Sequence, residues 1–169
     1  IGLIVFAGNS FVQLPITTDY VSAKMFLSSI STESVPIQGT AMGEAISTAL
    51  RSFSAQSDKS RAIIVITDGE NHEDDPVAAA RQAAELGVRV FTIGVGSPQG
   101  TMIPMGDGQY LEDREGNPVV TRLDDKVLQD VAEAGTLRAS VIPEESDVYL
   151  IVVPTPFKGN HEPDVSYVE

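Results

Sequence analysis

Five carboxylates fall within eight residues of the chain and form its densest group of potential ligands. These are Asp68, Glu70, Glu73, Asp74 and Asp75. Asp68 directly follows residues 61–67, an apolar run with the composition of a buried strand. Ligands of open α/β sheets bind beyond the carboxyl ends of the strands, and hard divalent cations prefer oxygen ligands. The pattern therefore indicates Asp68 as a ligand for Mg²⁺ or for a cationic partner.

A purely structural interpretation of the same residues stays open. Asp74 and Asp75 precede Pro76, which suits the first turn of a helix, so both carboxylates could cap that helix and favour its dipole. Asp68 could simply open a turn after the strand. Thr40 offers a hydroxyl at the start of another predicted helix, where we expect it to act as the N-cap whatever else it does.

The remaining candidates for chemistry are weaker. His72 has no second histidine at ligand spacing and His161 lies far along the chain, so we expect both at the surface. Ser97 precedes a proline and has no visible His/Asp relay. Gly94-Val95-Gly96 lacks the G-x-G-x-x-G spacing of a dinucleotide loop. A metal-dependent phosphoryl-transfer domain would need paired acids and a lysine, and only Asp68 stands at that strand end. We therefore expect no catalytic residues.

Alternating strand and helix patterns position these residues. Apolar runs predict strands over 1–7, 11–14, 61–67 and 88–95. The helical period predicts helices over 20–30, 40–53, 76–86 and 123–134, with Thr18 or Asp19 capping the first. The first has apolar residues at helical spacing in Val21, Met25, Phe26 and Ile30, and the last is expected to face inward with Val127, Leu128 and Val131. Residues 110–113 and 119–122 are expected to form a small hairpin around Gly116-Asn117. This order predicts an α/β fold with a doubly wound, mainly parallel sheet flanked by helices.

Composition excludes several classes of protein. The 169 residues include 24 acidic and 11 basic side chains, a net charge of −13, which argues against binding to nucleic acid. The absence of cysteine excludes disulfides, cysteine-ligated zinc and thiol catalysis. No apolar run reaches the roughly 18 residues that a transmembrane helix needs.

Several motifs together resemble a von Willebrand factor A domain over residues 1–135. They are Ile1 to Gly8, Gly39-Thr40-Ala41-Met42-Gly43, and Ile64-Val65-Ile66-Thr67-Asp68-Gly69-Glu70. Within that family, residues 14–20 and the hairpin around Gly116-Asn117 resemble the Bat aerotolerance proteins. The resemblance implies a bacterial, membrane-anchored protein with its A domain in the periplasm.

The resemblance also implies a metal-ion-dependent adhesion site, where Mg²⁺ bridges the domain to a partner's carboxylate. Thr40 and Asp68 match the threonine and the strand-end aspartate of that site. The family's Asp-x-Ser-x-Ser motif is missing, together with the first strand and helix that carry it, and Ile1 corresponds to the second strand. We therefore expect an N-terminally truncated domain with an incomplete site and weak or absent Mg²⁺ binding.

Residues 136–169 resemble a different protein. Val148 to Asp164 is similar to an internal segment of UDP-N-acetylmannosamine dehydrogenase, which indicates a chimeric chain joined near Gly135-Thr136. The segment lacks the enzyme's glycine-rich loop and its catalytic cysteine and lysine. Its apolar run, residues 149–153, is expected to pack on the same sheet, either at the far edge or in the place of the missing first strand. A neighbouring copy could fill that place instead, giving a strand-swapped homodimer.

The sequence thus predicts a non-enzymatic protein–protein interaction module with an unidentified protein partner. The alternative is an inactive fragment of an NAD-dependent nucleotide-sugar dehydrogenase.

Overall fold

A computed structural model describes residues 1–31, 34–37, 39–54, 59–71, 73–106, 108–113, 115–134 and 148–154. The strands in this part of the chain are β1 (Gly2–Phe6), β2 (Ser10–Leu14), β3 (Arg61–Thr67), β4 (Val88–Gly94), β5 (Thr101–Met102), β6 (Pro104–Gly106), β7 (Gln109–Tyr110), β8 (Val120–Thr121) and β9 (Val148–Pro154). The helices are α1 (Tyr20–Ser28), α2 (Met42–Ser52), α3 (Pro76–Glu85) and α4 (Asp125–Glu133).

Five of these strands form the central sheet, in the order β2-β1-β9-β3-β4. The edge strand β2 is antiparallel to β1, and every other neighbouring pair is parallel. This topology confirms the predicted mainly parallel α/β fold. Because parallel strands end at the same edge of the sheet, the residues that follow β1, β3 and β4 lie together at the carboxyl-end edge.

The strand β9 lies in the interior of the sheet, between β1 and β3, and not at its far edge. It pairs with β1 from Gly2↔Leu150 to Phe6↔Pro154, and with β3 up to Val65↔Val152. Val152 is fully buried. Of the two positions considered for this apolar run, the structure shows the interior one. The proposed join near Gly135-Thr136 lies outside the described residues.

Alternate residues of the buried strands face opposite layers of the core, as the period of two requires. Ile4, Phe6 and Ile63 pack under α2, α3 and α4. Leu3 and Val5 pack on the other side, where α1 contacts β1 and β2. Helix α4 buries Leu128 and Val131 and half-buries Val127, as predicted.

One predicted feature differs from the structure: Val21 and Met25, which follow the helical spacing of α1, are exposed, and Ala23 and Leu27 pack inward. The predicted hairpin around Gly116-Asn117 is present but shorter than expected. The N–H of Val119 donates to the Leu111 carbonyl at 2.7 Å, the N–H of Asp113 donates to the Asn117 carbonyl at 2.9 Å, and the bridge Glu112↔Pro118 lies between them. The outer residues of the two arms pair elsewhere, β8 with β5 and β7 with β6. None of the helices among the described residues has the length and apolar character to cross a membrane.

Candidate functional site

Asp68 stands directly after β3 at the carboxyl-end edge, half-buried among its neighbours. Its Oδ1 accepts a hydrogen bond from the backbone N–H of Glu70 at 3.2 Å, and its Oδ2 accepts one from the Thr121 hydroxyl at 3.1 Å. Burial raises the pKa of Asp68 above its ordinary value of 3.8, and repulsion from Glu70 adds to this, whereas the hydrogen bonds oppose it. Desolvation is the larger influence, so the ionised form of Asp68 is disfavoured in the fold.

Thr121 joins Asp68 to a second carboxylate. Its hydroxyl also lies 3.2 Å from Oε1 of Glu70, and the backbone N–H of Arg122 donates to the same Oε1 at 3.1 Å. A hydroxyl has one hydrogen, so Thr121 shares it between two acceptors. The backbone N–H of Asp124 donates to the carbonyl of Asp68 at 2.7 Å. These hydrogen bonds hold the segment that leads into α4 against the carboxyl end of β3.

The structure corrects the expected role of Thr40. Helix α2 has Ala41 as its N-cap, without a side-chain capping bond, so Thr40 does not cap it. The free amides of Gly43 and Glu44 instead donate to the carboxylate of Asp74, at 2.9 and 2.6 Å. The cap therefore comes from the loop after β3, which lies across the start of the helix.

The capping prediction for Asp74 and Asp75 holds for only one of them. Asp75 caps α3 by accepting from Ala78 N–H at 2.9 Å, whereas Asp74 serves α2. Asn71 supports this arrangement, because its Oδ1 accepts from Met42 N–H at 3.2 Å and its Nδ2 donates to the Asp74 carbonyl at 2.7 Å. Two of the five clustered carboxylates thus stabilise helix starts.

The residues present do not fit a complete magnesium site. Asp68 supplies one carboxylate, and both of its oxygens already accept hydrogen bonds from the protein. Thr40 makes no side-chain hydrogen bond to Asp68 in the part of the chain that the structure describes, and β9 carries no carboxylate. Among the described residues, no three acidic or histidine side chains are grouped to hold a metal. His72 and His161 lie outside those residues. The assignment of Thr40 and Asp68 as ligands stays a prediction.

Exposed carboxylates lie in the two segments that meet at the end of β3. Glu73 lies in the loop after β3, and Asp124 and Asp125 stand at the start of α4, where Asp124 caps the helix through Val127 N–H at 3.1 Å. Together with the half-buried Glu70, we call these four residues the acidic rim. The side chain of Arg122 reaches the backbone at Gly100. The rim therefore places four carboxylates in the loop after β3 and at the start of α4, the two segments that the Asp124 N–H to Asp68 carbonyl bond joins.

Comparisons with known proteins agree with this architecture. The sequence profile of the von Willebrand factor type A domain matches residues 1–107. A crystal structure of the conserved hypothetical protein BatB from Bacteroides thetaiotaomicron is 51% identical, with a TM-score of 0.76, over 92% of this chain and 71% of that one. An aerotolerance-related membrane protein from Bacteroides fragilis is 48% identical, with a TM-score of 0.75 and the same coverage of each chain.

A shorter likeness covers a quarter of the chain. It is 60% identical over 43 residues to UDP-N-acetyl-D-mannosamine dehydrogenase of Escherichia coli (strain K12), which is 25% of this chain and 10% of that enzyme. The chain thus spans about a tenth of the length of these curated relatives, so the likeness is local. The profile match covers well over half of the sequence, and the chain belongs to the von Willebrand factor type A domain family.

Proposed function

We propose that this chain is a non-enzymatic protein–protein interaction module that binds through the acidic rim, with weak or absent dependence on Mg²⁺. The observation that carries the proposal is the bonding of Asp68. Its two oxygens are satisfied by Thr121 and by the amide of Glu70, so the carboxylate is held without a cation. Membership of the von Willebrand factor type A family supports a role in adhesion or protein interaction.

Charge favours a basic protein surface as the partner. The chain carries a net charge of −13, and four of its 24 acidic side chains form the rim near the end of β3. Opposite charge on a partner would speed its association and fix its orientation. Because the structure from Bacteroides fragilis is described as that of a membrane protein, we propose that this domain works beside a bacterial membrane, in the periplasm.

Calorimetric titration with MgCl₂ tests the metal half of the proposal. After treatment with EDTA, the protein is expected to show no saturable heat below millimolar Mg²⁺. Asp68→Asn and Thr40→Ala serve as controls, because both remove an oxygen ligand that the family resemblance assigns to the metal. Micromolar binding that is lost in both variants would contradict the proposal.

Charge reversal tests the interaction half. Glu73 and Asp125 are exposed rim residues, and Glu85 is an exposed carboxylate at the end of α3, away from the rim. We expect proteins captured from the source cells by the wild-type chain to be lost with Glu73→Lys/Asp125→Lys and retained with Glu85→Lys. Capture should persist in EDTA. Capture that needs Mg²⁺, or that survives the rim substitutions, would refute the proposal.

An inactive fragment of an NAD-dependent dehydrogenase is the second candidate, because of the 43-residue match to that enzyme. The chain lacks the G-x-G-x-x-G loop that cradles a dinucleotide. Adding the protein to NADH is therefore expected to leave the NADH fluorescence unchanged. A saturable change would favour this candidate over the interaction module.

A further inference from the structure

The sheet consists of two strand pairs joined by one late strand. β1 pairs with β2, and β3 pairs with β4. In both pairs the second strand is the next strand of the sequence. Among the strands that the structure describes, only β9 bonds to both pairs. The last described strand of the chain therefore closes a gap in the middle of the sheet.

The two sides of this gap are also tied together without β9. The backbone N–H of Ala41, just before α2, donates to the carbonyl of Ala7, just after β1, at 2.6 Å. The first turn of α2, through the N–H groups of Gly43 and Glu44, donates to Asp74 in the loop after β3. Ile46 of α2 is fully buried in the core layer that it shares with Ile4 and Ile63. The start of α2 thus spans the gap and fixes the spacing of β1 and β3.

The strand β9 itself is joined to this frame at its amino end by residues 135–147. Thirteen residues reach at most about 45 Å when extended, which is enough to connect to a second molecule. The pairing of β9 consists of backbone ladders on both sides, and its sequence is wholly apolar up to Pro154 apart from the hydroxyl of Tyr149. A β9 from another copy would make the same ladders.

We propose that two copies of this chain exchange β9, each inserting the strand between β1 and β3 of the other. Every pairing of the monomer is kept in the exchanged dimer, so the balance between the two forms depends on protein concentration. The surface concerned is the gap itself, and the partner is a second copy of the same chain. The proposal is independent of the acidic rim.

Cross-linking tests the exchange directly, because the chain contains no cysteine. Leu3 of β1 and Ile151 of β9 are register partners and belong to the same side of the sheet. Leu3→Cys and Ile151→Cys chains are unfolded together, refolded at high concentration and treated with a short bismaleimide. Random pairing gives about half mixed dimers, and we expect these to appear as a covalent dimer whose yield falls on dilution before refolding.

Three comparisons make the test decisive. A chain with both cysteines, refolded when dilute, should cross-link within itself and shows that the pair is close enough. Mixing Leu3→Cys with Glu85→Cys, an exposed site at the end of α3, should give no product. Should Leu3→Cys fail to fold, Ile64→Cys with Ile151→Cys repeats the test from β3, because Ile64 and Ile151 are also register partners. The proposal is overturned by the absence of mixed dimer at every concentration while the double variant cross-links, or by equal product from the Glu85 mixture.

Discussion

Replacing Asp74 by alanine is expected to destabilise the fold substantially, although the side chain is exposed. Its two carboxylate oxygens accept hydrogen bonds from the backbone amides of Gly43 and Glu44 in α2, at 2.9 and 2.6 Å. Asp74 itself lies in the loop between β3 and α3, so these bonds join two distant segments of the chain. Loss of an N-cap costs about 0.5–2 kcal/mol. Because the Asp74 bonds are charge-assisted and also join two elements, we expect a loss near the upper end, about 2 kcal/mol.

Thermal and urea unfolding followed by circular dichroism measure this effect. For a chain of this size, about 2 kcal/mol corresponds to a fall in Tm of about 4–8 °C. Asp74→Asn keeps one acceptor oxygen and should lose about half as much. Asp75→Ala, which removes one bond to Ala78 within its own helix, should cost about 1 kcal/mol.

The matched control is Glu85→Ala, since Glu85 is exposed and makes no side-chain hydrogen bond within the described part of the chain. We expect its free energy of unfolding to change by less than about 0.5 kcal/mol. If Asp74→Ala were no less stable than Glu85→Ala, the cap would contribute nothing measurable to the free energy of unfolding. The account of how α2 is held would then be wrong.

Two further predictions concern the end of β3. Because the pKa of Asp68 is raised in the fold, the native state binds the proton of this carboxyl more tightly than the unfolded state does. The protonated carboxyl therefore contributes to stability below the ordinary pKa of 3.8, and this contribution is lost as the pH rises through the raised pKa. Asp68→Asn should therefore gain stability relative to the wild type between strongly acidic and neutral pH. Equal or opposite pH dependence of the two Tm values would exclude this cause. Gly69 and Gly87 both have positive φ. A Cβ at Gly69 would collide with the carbonyl oxygen of Asp124, whereas a Cβ at Gly87 would have no neighbouring heavy atom within 4 Å. Gly87→Ala should cost about 1–2 kcal/mol and Gly69→Ala clearly more, as measured by urea unfolding; similar costs would contradict the close packing.

The sequence predicts elements well where both of their ends carry local signals. β3 and the start and end of α3 were found because Asp68-Gly69, Pro76 and Gly87 interrupt the periodic pattern on either side. The inward face of α1 could not be found in the same way, because apolar residues lie all around that helix. The position of β9 depends on which place in the sheet is open, and that is set by residues more than 80 positions away.

The candidate site divides in the same manner. Asp68 was identified from the position of a polar residue at the end of a buried strand. Thr121 was missed because it is 53 residues from Asp68 and lies in a segment whose strand pairing was predicted differently. The structural interpretation of the sequence gives Asp74 the helix that follows it, as capping rules direct, but in the fold Asp74 caps α2, the helix that lies beside its loop. Contacts made across the fold have no local signature.

The clustered carboxylates therefore have unequal roles, which their sequence alone does not separate. Asp74 and Asp75 stabilise two helix starts, and this role needs no ligand. Asp68 is different, because burial disfavours its charge and an amide in its place would keep an acceptor for Glu70 N–H. Functional sites are where proteins keep residues that reduce stability. A gain in stability in Asp68→Asn, together with loss of binding at the rim, would therefore assign Asp68 to function and its neighbours Asp74 and Asp75 to the fold.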